Sequence, residues 1–166
     1  MIKKLIVVLL LLSAILNAEL FKQSNLGVGL IVGGGSVTTT KDGTQNYTIV
    51  GLNADYFVID NLSVGIGYMS WFGSSPSLNQ LTIPVTYYVP MNKKVRPYAG
   101  VFLRETFVSS GYKDYESYGG KVGAAMRLSP TSYVGVGLMA ERYSSCSAWQ
   151  EDCSSVYPEV IFAFSF

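Results

Sequence analysis

Large apolar residues occur at every second position over much of the chain after residue 24. In one run Leu26, Val28 and Leu30 alternate with Gly27 and Gly29. A period of two is that of a β-strand whose two faces meet different surroundings. The pattern recurs in eight segments, which we predict to be strands: 25–37, 45–58, 62–72, 78–89, 95–108, 117–128, 133–143 and 156–166.

Residues that favour turns separate the predicted strands. The connections are rich in Gly, Pro, Asn, Asp, Ser and Thr, and mostly long polar ones alternate with short ones. Long loops at one end and short turns at the other are typical of a barrel that crosses a membrane with consecutive strands as neighbours. The sequence therefore predicts an all-β fold, an eight-stranded antiparallel up-and-down transmembrane β-barrel.

The two faces of the predicted strands differ in the size of their side chains. If the large residues pointed inward, as in a soluble periplasmic barrel that binds an apolar ligand, much of the outer surface would be bare glycine. If they point to lipid, the glycines make room inside a barrel whose interior is only wide enough for side chains. We favour the second arrangement and expect Val64, Val136 and Phe162 to face acyl chains.

Aromatic residues collect near the ends of the predicted strands, as they do at membrane interfaces. We therefore predict two aromatic rims. One rim contains Tyr56, Tyr87, Tyr88, Tyr98, Tyr133 and Phe166, and the other contains Tyr47, Trp71, Phe72, Phe107, Tyr118, Tyr143 and Tyr157.

The first 18 residues have the pattern of a secretory signal peptide. Lys3 and Lys4 precede an apolar run, and we expect cleavage after Ala18, which leaves 19–166 as the barrel. A retained N-terminal anchor helix is the alternative. Because an exported protein meets an oxidising compartment, Cys146 and Cys153 are predicted to form a disulfide across a polar loop.

Charged residues are few, at 14% of the chain, and the net charge is +1. Nucleic acid is excluded as a partner, because binding phosphates requires clustered Lys and Arg. Six charged residues fall on the inferred inward face and must be paired there, since unpaired buried charge is costly. They either fill the lumen as a structural network or line a gate for ions. The six are Asp55, Arg104, Lys121, Arg127, Glu141 and Glu159.

The chain contains no histidine, so its serines have no evident general base and we expect no catalysis. Two thiols without histidine fall short of a metal site, and no cofactor motif is present, so neither a metal nor a cofactor is expected. The polar connections mix aromatic and charged residues. Among these, Trp149 is the candidate for a contact with a partner.

Three segments resemble the small eight-stranded outer membrane barrels, a group that includes the transmembrane part of outer membrane protein A and the opacity-type proteins. They are TIPVTYYVP at 82–90, RPYAGVFL at 96–103 and FAFSF at 162–166. The resemblance implies a bacterial outer membrane location among lipid and lipopolysaccharide. It also implies an assembly signal at Phe162, Phe164 and Phe166 that the barrel assembly machinery reads.

The same resemblance leaves the function open, because barrels of this group differ in function. We expect a monomer that acts as a structural anchor and displays its loops, for envelope integrity, adhesion or contact with a host or surface ligand. A narrow channel for ions or small solutes is the alternative.

Overall fold

The computed structural model describes residues 19–39, 43–73, 77–91, 94–109, 113–144 and 153–166. Each strand pairs antiparallel with the next and the last strand pairs with the first, so the sheet is a closed up-and-down barrel and the predicted fold class is confirmed. Within these ranges no helix is long and apolar enough to cross a membrane. The eight strands are β1 Leu26–Thr39, β2 Gly43–Ile59, β3 Leu62–Phe72, β4 Leu78–Tyr88, β5 Val95–Val108, β6 Tyr115–Arg127, β7 Ser132–Tyr143 and β8 Ser154–Ser165.

Several strands extend beyond their predicted bounds at one end of the barrel. This end carries the connections 40–42, 73–77, 109–114 and 144–153 and is called the loop end; the opposite end, with turns at 60–61, 89–94 and 128–131, is the turn end. Here β1 continues to Thr39, which pairs with Gly43, and β6 and β8 begin at Tyr115 and Ser154. The ladder continues through polar residues because its bonds join backbone groups, whereas apolar alternation marks only the apolar band.

Pairing between β1 and β8 closes the barrel. The register runs from Gly27 opposite Ser165 to Val32 opposite Val160. The amide of Phe166 donates to the carbonyl of Leu26 at 2.8 Å, and the amide of Leu26 donates to the carbonyl of Phe166 at 3.1 Å. The C-terminal residue is therefore held in the ladder, and the closed sheet leaves no free edge.

The exterior of the barrel is covered by large apolar side chains from every strand. Leu52, Val101 and Leu103 are 62%, 62% and 64% exposed, and Val64, Val136 and Phe162 also point outward, as predicted. Burying apolar surface is worth roughly 25 cal/mol per Å², and soluble monomers rarely expose continuous apolar patches above a few hundred Å². An exterior of this kind requires an apolar solvent, which the acyl chains of a bilayer provide.

Glycines on the inward face make room for rings. A Cβ added to Gly123 would lie 2.5 Å from Cζ of Tyr98, and one added to Gly137 would meet the hydroxyl of the same ring. Real Cβ atoms do not approach other atoms so closely, so Tyr98 occupies the space that these two glycines leave. The small inward face therefore reflects a filled interior, as expected for eight strands.

Residues 19–25 cover the turn end of the barrel, which the sequence did not predict. Phe21 is 2% exposed, and its ring centroid lies 5.9 Å, 4.6 Å and 5.2 Å from those of Phe57, Tyr88 and Tyr133. The amide of Asn61 donates to the carbonyl of Phe21 at 2.8 Å. Phe21 adopts φ 65°, a left-handed conformation that costs an ordinary residue roughly 1–2 kcal/mol. Burial of its ring offsets that strain.

The side chain of Asp60 ties this N-terminal segment to the turn between β2 and β3. Its carboxylate accepts the amide of Gln23 at 2.9 Å and the ammonium of Lys22 at 3.0 Å. Both donors lower the pKa of Asp60 below its ordinary value of 3.8, and the backbone amide of Gln23 has the larger effect. The segment is thus attached by an apolar ring and by an exposed charged contact.

A lysine at the middle of the lipid-facing surface should destabilise the barrel. For Val136→Lys we expect the free energy of unfolding in lipid vesicles to fall by roughly 2–4 kcal/mol, because the charge would lie in hydrocarbon. Urea unfolding followed by gel mobility measures the change. Leu128→Lys, at an exposed position just past β6, is the control and should lose roughly 0–1 kcal/mol. Equal losses at both positions would contradict the lipid-facing assignment.

Removing the ring of Phe21 should loosen the turn end. Phe21→Ala is expected to lower the free energy of unfolding by about 3 kcal/mol, because it empties a packed aromatic site. Phe21→Leu keeps most of the apolar volume and should recover more than half of that loss. Urea unfolding of both variants measures the effect, and an unchanged Phe21→Ala barrel would show that the segment contributes nothing to stability.

The contact at Asp60 should weaken in acid. Because the pKa of the folded carboxyl is lowered, the contact contributes fully above the unfolded value near 3.8 and is lost as pH falls through the lower folded value. We expect the amide resonance of Gln23 to titrate with a midpoint below 3.8 in an NMR experiment. Asp60→Asn should abolish that titration. A midpoint above 3.8 would contradict the lowered pKa.

Candidate functional site

The interior of the barrel contains five of the six charged residues that the sequence placed there. They come from five different strands, because inward positions repeat every second residue along each strand. All five are buried, with exposures of 8% or less. They are Asp55 on β2, Arg104 on β5, Lys121 on β6, Glu141 on β7 and Glu159 on β8.

Arg104 and Glu141 form a buried ion pair. Nη1 of Arg104 donates to Oε2 of Glu141 at 2.8 Å, and both side chains are 1% exposed. The pair is held from several sides: Nε of Arg104 donates to Thr82 at 2.8 Å, while Tyr157 donates to Glu141 at 2.7 Å and Ser117 also donates to it. Charge-assisted bonds of this kind are among the strongest in proteins.

Strand register explains how Arg104 reaches Glu141 across β6. Thr82 lies directly opposite Arg104, and Ser117 lies opposite it on the other side. Gly119 is the β6 residue opposite Glu141. Because Gly119 has no side chain, the ring of Phe102 fits beside it: a Cβ added to Gly119 would lie 2.6 Å from Cζ of Phe102. The guanidinium of Arg104 lies 4.8 Å from the centroid of that ring.

The other three interior charges form no ion pair within 4.0 Å among the described residues. Asp55 accepts a hydrogen bond from Asn53, and the ammonium of Lys121 lies 5.9 Å from the ring centroid of Tyr98. Oε1 of Glu159 has no hydrogen-bond partner in the part of the chain that the structure describes. Direct pairing, expected for all six charges, is therefore limited here to Arg104 and Glu141.

A small cavity lies between these groups. It has a volume of about 20 Å³, and its lining combines mostly apolar surface with the polar side chains of Asn53, Arg104, Lys121 and Glu159. A cavity of roughly 10–15 Å³ on this measure holds one water molecule, provided that several polar partners surround it. Its size suits a single water molecule.

Arg127 lies apart from this interior group. It is the last residue of β6, it is exposed, and its amide donates to the carbonyl of Lys94 at the turn end at 2.8 Å. Its position in the alternation places it on the inward face, but it lies at the mouth of the barrel. The expectation that Arg127 joins the lumen network is therefore corrected.

The remaining predicted residues fall on the exterior or outside the described residues. Phe162, Phe164 and Phe166 are exposed, at 42%, 56% and 38%, and lie on the outward face of the last strand and its end. Their role as an assembly signal stays a prediction. Cys146 and Trp149 lie outside the described residues, as does the predicted signal peptide. Cys153 is not a free thiol, and its pairing with Cys146 stays a prediction.

Several aromatic residues that the sequence assigned to the lipid rims point inward instead. Tyr88, Tyr98 and Tyr133 are 3–5% exposed and pack at the turn end, where the hydroxyls of Tyr88 and Tyr133 lie 2.9 Å apart. Near the loop end, Trp71 stacks on Tyr47 at 4.6 Å and donates to Gln80 at 2.9 Å. Position in the alternation could have identified them, because Tyr88 shares the face of the buried Thr82 and Thr86.

The interior is thus filled in successive layers along the barrel axis. Aromatic rings cover the turn end, the charged groups occupy the middle, and a further aromatic layer that includes Trp71 and Tyr157 lies toward the loop end. A water-sized cavity leaves no room there for an organic ligand. In the described residues, no group of three or more Asp, Glu, Cys or His is arranged to hold a metal ion.

No protein-family profile matches the sequence, and no curated protein matches it. Solved structures do match. The N-terminal β-barrel domain of Pseudomonas aeruginosa OprF is similar at 13% identity and TM-score 0.65, covering 87% of this chain and 98% of that one. Neisserial surface protein A matches at 15% identity and TM-score 0.61, covering 86% and 96%.

De novo designed transmembrane β-barrels match as well, at 18% identity and TM-score 0.58, over 87% of this chain and 98% of the designed one. A barrel designed without natural ancestry shares the geometry, so at these identities the likeness reports architecture rather than activity. The chain has the fold of the small eight-stranded outer membrane β-barrels.

Proposed function

We propose that this protein is an outer membrane β-barrel with a closed interior, whose wall is a rigid anchor for the connections at its loop end. Those connections would act in envelope integrity, adhesion or surface interaction. The observation that supports this most directly is the filled interior. The Arg104–Glu141 pair and the aromatic layers occupy the interior beside a cavity of about 20 Å³, which supports a closed barrel.

The outer membrane setting follows from the exterior and from the neighbours in structure. The exterior is apolar, and the N-terminal barrel domain of OprF and neisserial surface protein A have the same architecture. In this setting residues 1–18 direct export, and Phe162, Phe164 and Phe166 are read by the barrel assembly machinery. The turn end then faces the periplasm, while the loop end meets lipopolysaccharide and surface ligands.

A narrow channel is the second candidate, and the charged middle layer is the observation that favours it. Lys121 and Glu159 border the cavity without pairing with a carboxylate or a cation within 4.0 Å in the described chain. Rings of such groups can line an ion path. Conduction would require Arg104 to leave Glu141 and the rings of the turn end to move aside.

A loop exchange tests the anchor role. Residues 145–152 would be replaced by a short Gly-rich turn, and binding of cells carrying the protein to lipopolysaccharide and to host cells would be compared with wild type. We expect a normal heat-modifiable barrel with at least tenfold weaker surface binding. An Arg142→Gln barrel, altered at an exposed position on β7, is the matched control. Unchanged binding after exchange of each of the four connections in turn would overturn the loop-display proposal.

Conductance separates the two candidates. The mature chain, refolded and confirmed by its mobility on an unheated gel, should give no resolved steps across a planar bilayer, because the described interior is closed. An open porin measured in the same bilayers is the positive control. Steady and reproducible steps from a folded barrel would favour the channel over the closed anchor.

Breaking the buried ion pair should destabilise the barrel. Glu141→Gln leaves the guanidinium of Arg104 buried without its counter-charge, and we expect the free energy of unfolding to fall by about 3 kcal/mol. The double variant Arg104→Met with Glu141→Leu removes both charges and should regain at least half of that loss. Urea unfolding in vesicles measures both. A neutral effect of Glu141→Gln would mean that the pair does not hold the interior closed.

A further inference from the structure

The mouth of the barrel at the turn end forms a basin that the closed-anchor function does not use. Its volume is about 610 Å³, within the range of roughly 300–1,000 Å³ typical of small-molecule sites. The N-terminal segment 19–22 forms one side. Residues 60–61, 90–91 and 130 of three turns and the strand residues Arg96 and Arg127 contribute the rest. We call it the turn-end basin.

Two arginines from different elements line the turn-end basin. Arg96 on β5 is held in place, since its Nη1 donates to Asn61 at 2.8 Å and its guanidinium lies 4.8 Å from the ring centroid of Phe21. Arg127 is exposed, and its side chain has no hydrogen bond or ion pair with the described residues. One guanidinium is thus preorganised and the other is available.

The carboxylates of the turn-end basin do not neutralise both arginines. Asp60 is engaged by Lys22 at 3.0 Å and by the amide of Gln23 at 2.9 Å. Glu19 is the remaining acidic residue in the lining, against Arg96 and Arg127. The lining of the turn-end basin therefore has an excess of positive charge, with three cationic residues against two acidic ones.

Apolar residues also border the turn-end basin. Leu20 and Phe21 are 8% and 2% exposed, and Met91 and two prolines lie in the same lining. A ligand that fits this lining has an anionic group for the arginines and a small organic body that reaches Met91 and the prolines. A guanidinium group binds phosphate through paired N–H donors. Two guanidinium groups match the several oxygens of a phosphate better than the two oxygens of a carboxylate.

We propose that the turn-end basin binds the phosphate group of a small organic phosphate. The group could be supplied by a soluble phosphorylated molecule or by the headgroup of a phospholipid in the adjoining leaflet. This site is at the opposite end of the barrel from the loops, so it goes beyond the anchor role, and its test does not depend on that role.

The test uses the full mature barrel in maltoside micelles, which contain no phosphate, at 0.15 M sodium chloride to screen weak attraction. One arm titrates sn-glycerol 3-phosphate by calorimetry, and the other adds short-chain phosphatidylglycerol to the micelles. In both arms the Nε–H resonances of the arginines are followed by NMR. We expect saturable shifts of Arg96 and Arg127. A soluble source is indicated if the first probe binds, and a lipid source if only the second does.

Variants decide whether the arginines carry the site. Arg127→Gln, at an exposed position, should fold normally and weaken binding at least tenfold, and Arg96→Gln should do the same where gel mobility confirms folding. Arg142→Gln, an exposed arginine away from the turn-end basin, is the matched control and should bind as wild type. Equal weakening in Arg142→Gln would reveal unspecific attraction and overturn the proposal.

Succinate distinguishes phosphate from anions in general. It carries a similar charge on two carboxylates, and we expect it to bind at least tenfold more weakly than glycerol phosphate or the phospholipid probe. Equal binding of succinate would overturn the assignment to phosphate. An absence of saturable binding by both phosphate probes would overturn the site itself.

Discussion

Closure of the hydrogen-bonded ladder between β1 and β8 constrains everything inside the barrel. Once Gly27 to Val32 pair with β8, eight strands fix the diameter, and the volume available to inward side chains is set. A large ring fits the interior only where the neighbouring inward residues are small. Tyr98 fits the interior because Gly123 and Gly137 have no side chains. The inward glycines of the sequence therefore provide the space that the inward rings fill.

The same fixed volume determines how charge is tolerated in the interior. Little water can surround an ion there, so other protein groups must replace its hydration. Arg104 and Glu141 achieve this with Thr82, Ser117 and Tyr157 as additional partners. The remaining charges are solvated less completely, next to a space that suits one water. The middle of the barrel thus combines an extensively hydrogen-bonded ion pair with charges that are less strictly held. Within the pair, Nη2 of Arg104 has no partner among the described residues.

Much of this architecture could be predicted from the alternation of side chains. The period of two identifies all eight strands and the outward face of Val64, Val136 and Phe162, because lipid and a narrow interior impose different requirements on neighbouring positions. The same rule places Asp55, Arg104 and Glu141 inside. Alternation predicts only whether a residue faces the interior or the exterior. The position of that residue along the barrel axis depends on closure of the sheet and on strand register. Arg127 shows this, since it shares the face of Lys121 and yet lies at the mouth.

Two further features were beyond the reach of the pattern. The adjacent Tyr87 and Tyr88 are chemically alike, and an aromatic residue near a strand end suits both an interface and a packed interior. Phe21 lies outside every strand, and its site exists only in the assembled barrel. Non-local packing of this kind has no local signature, because the residues that receive the ring come from distant parts of the chain.

The packing of the Phe21 ring at the turn end affects the lifetime of the folded barrel. Its three ring partners belong to β2, β4 and β7, which surround one point only after the sheet has closed. Stabilisation that forms after the rate-limiting step of folding leaves the folding rate unchanged and slows unfolding. Where Phe21 packs after that step, the N-terminal segment slows unfolding of the native barrel and leaves its folding rate unchanged.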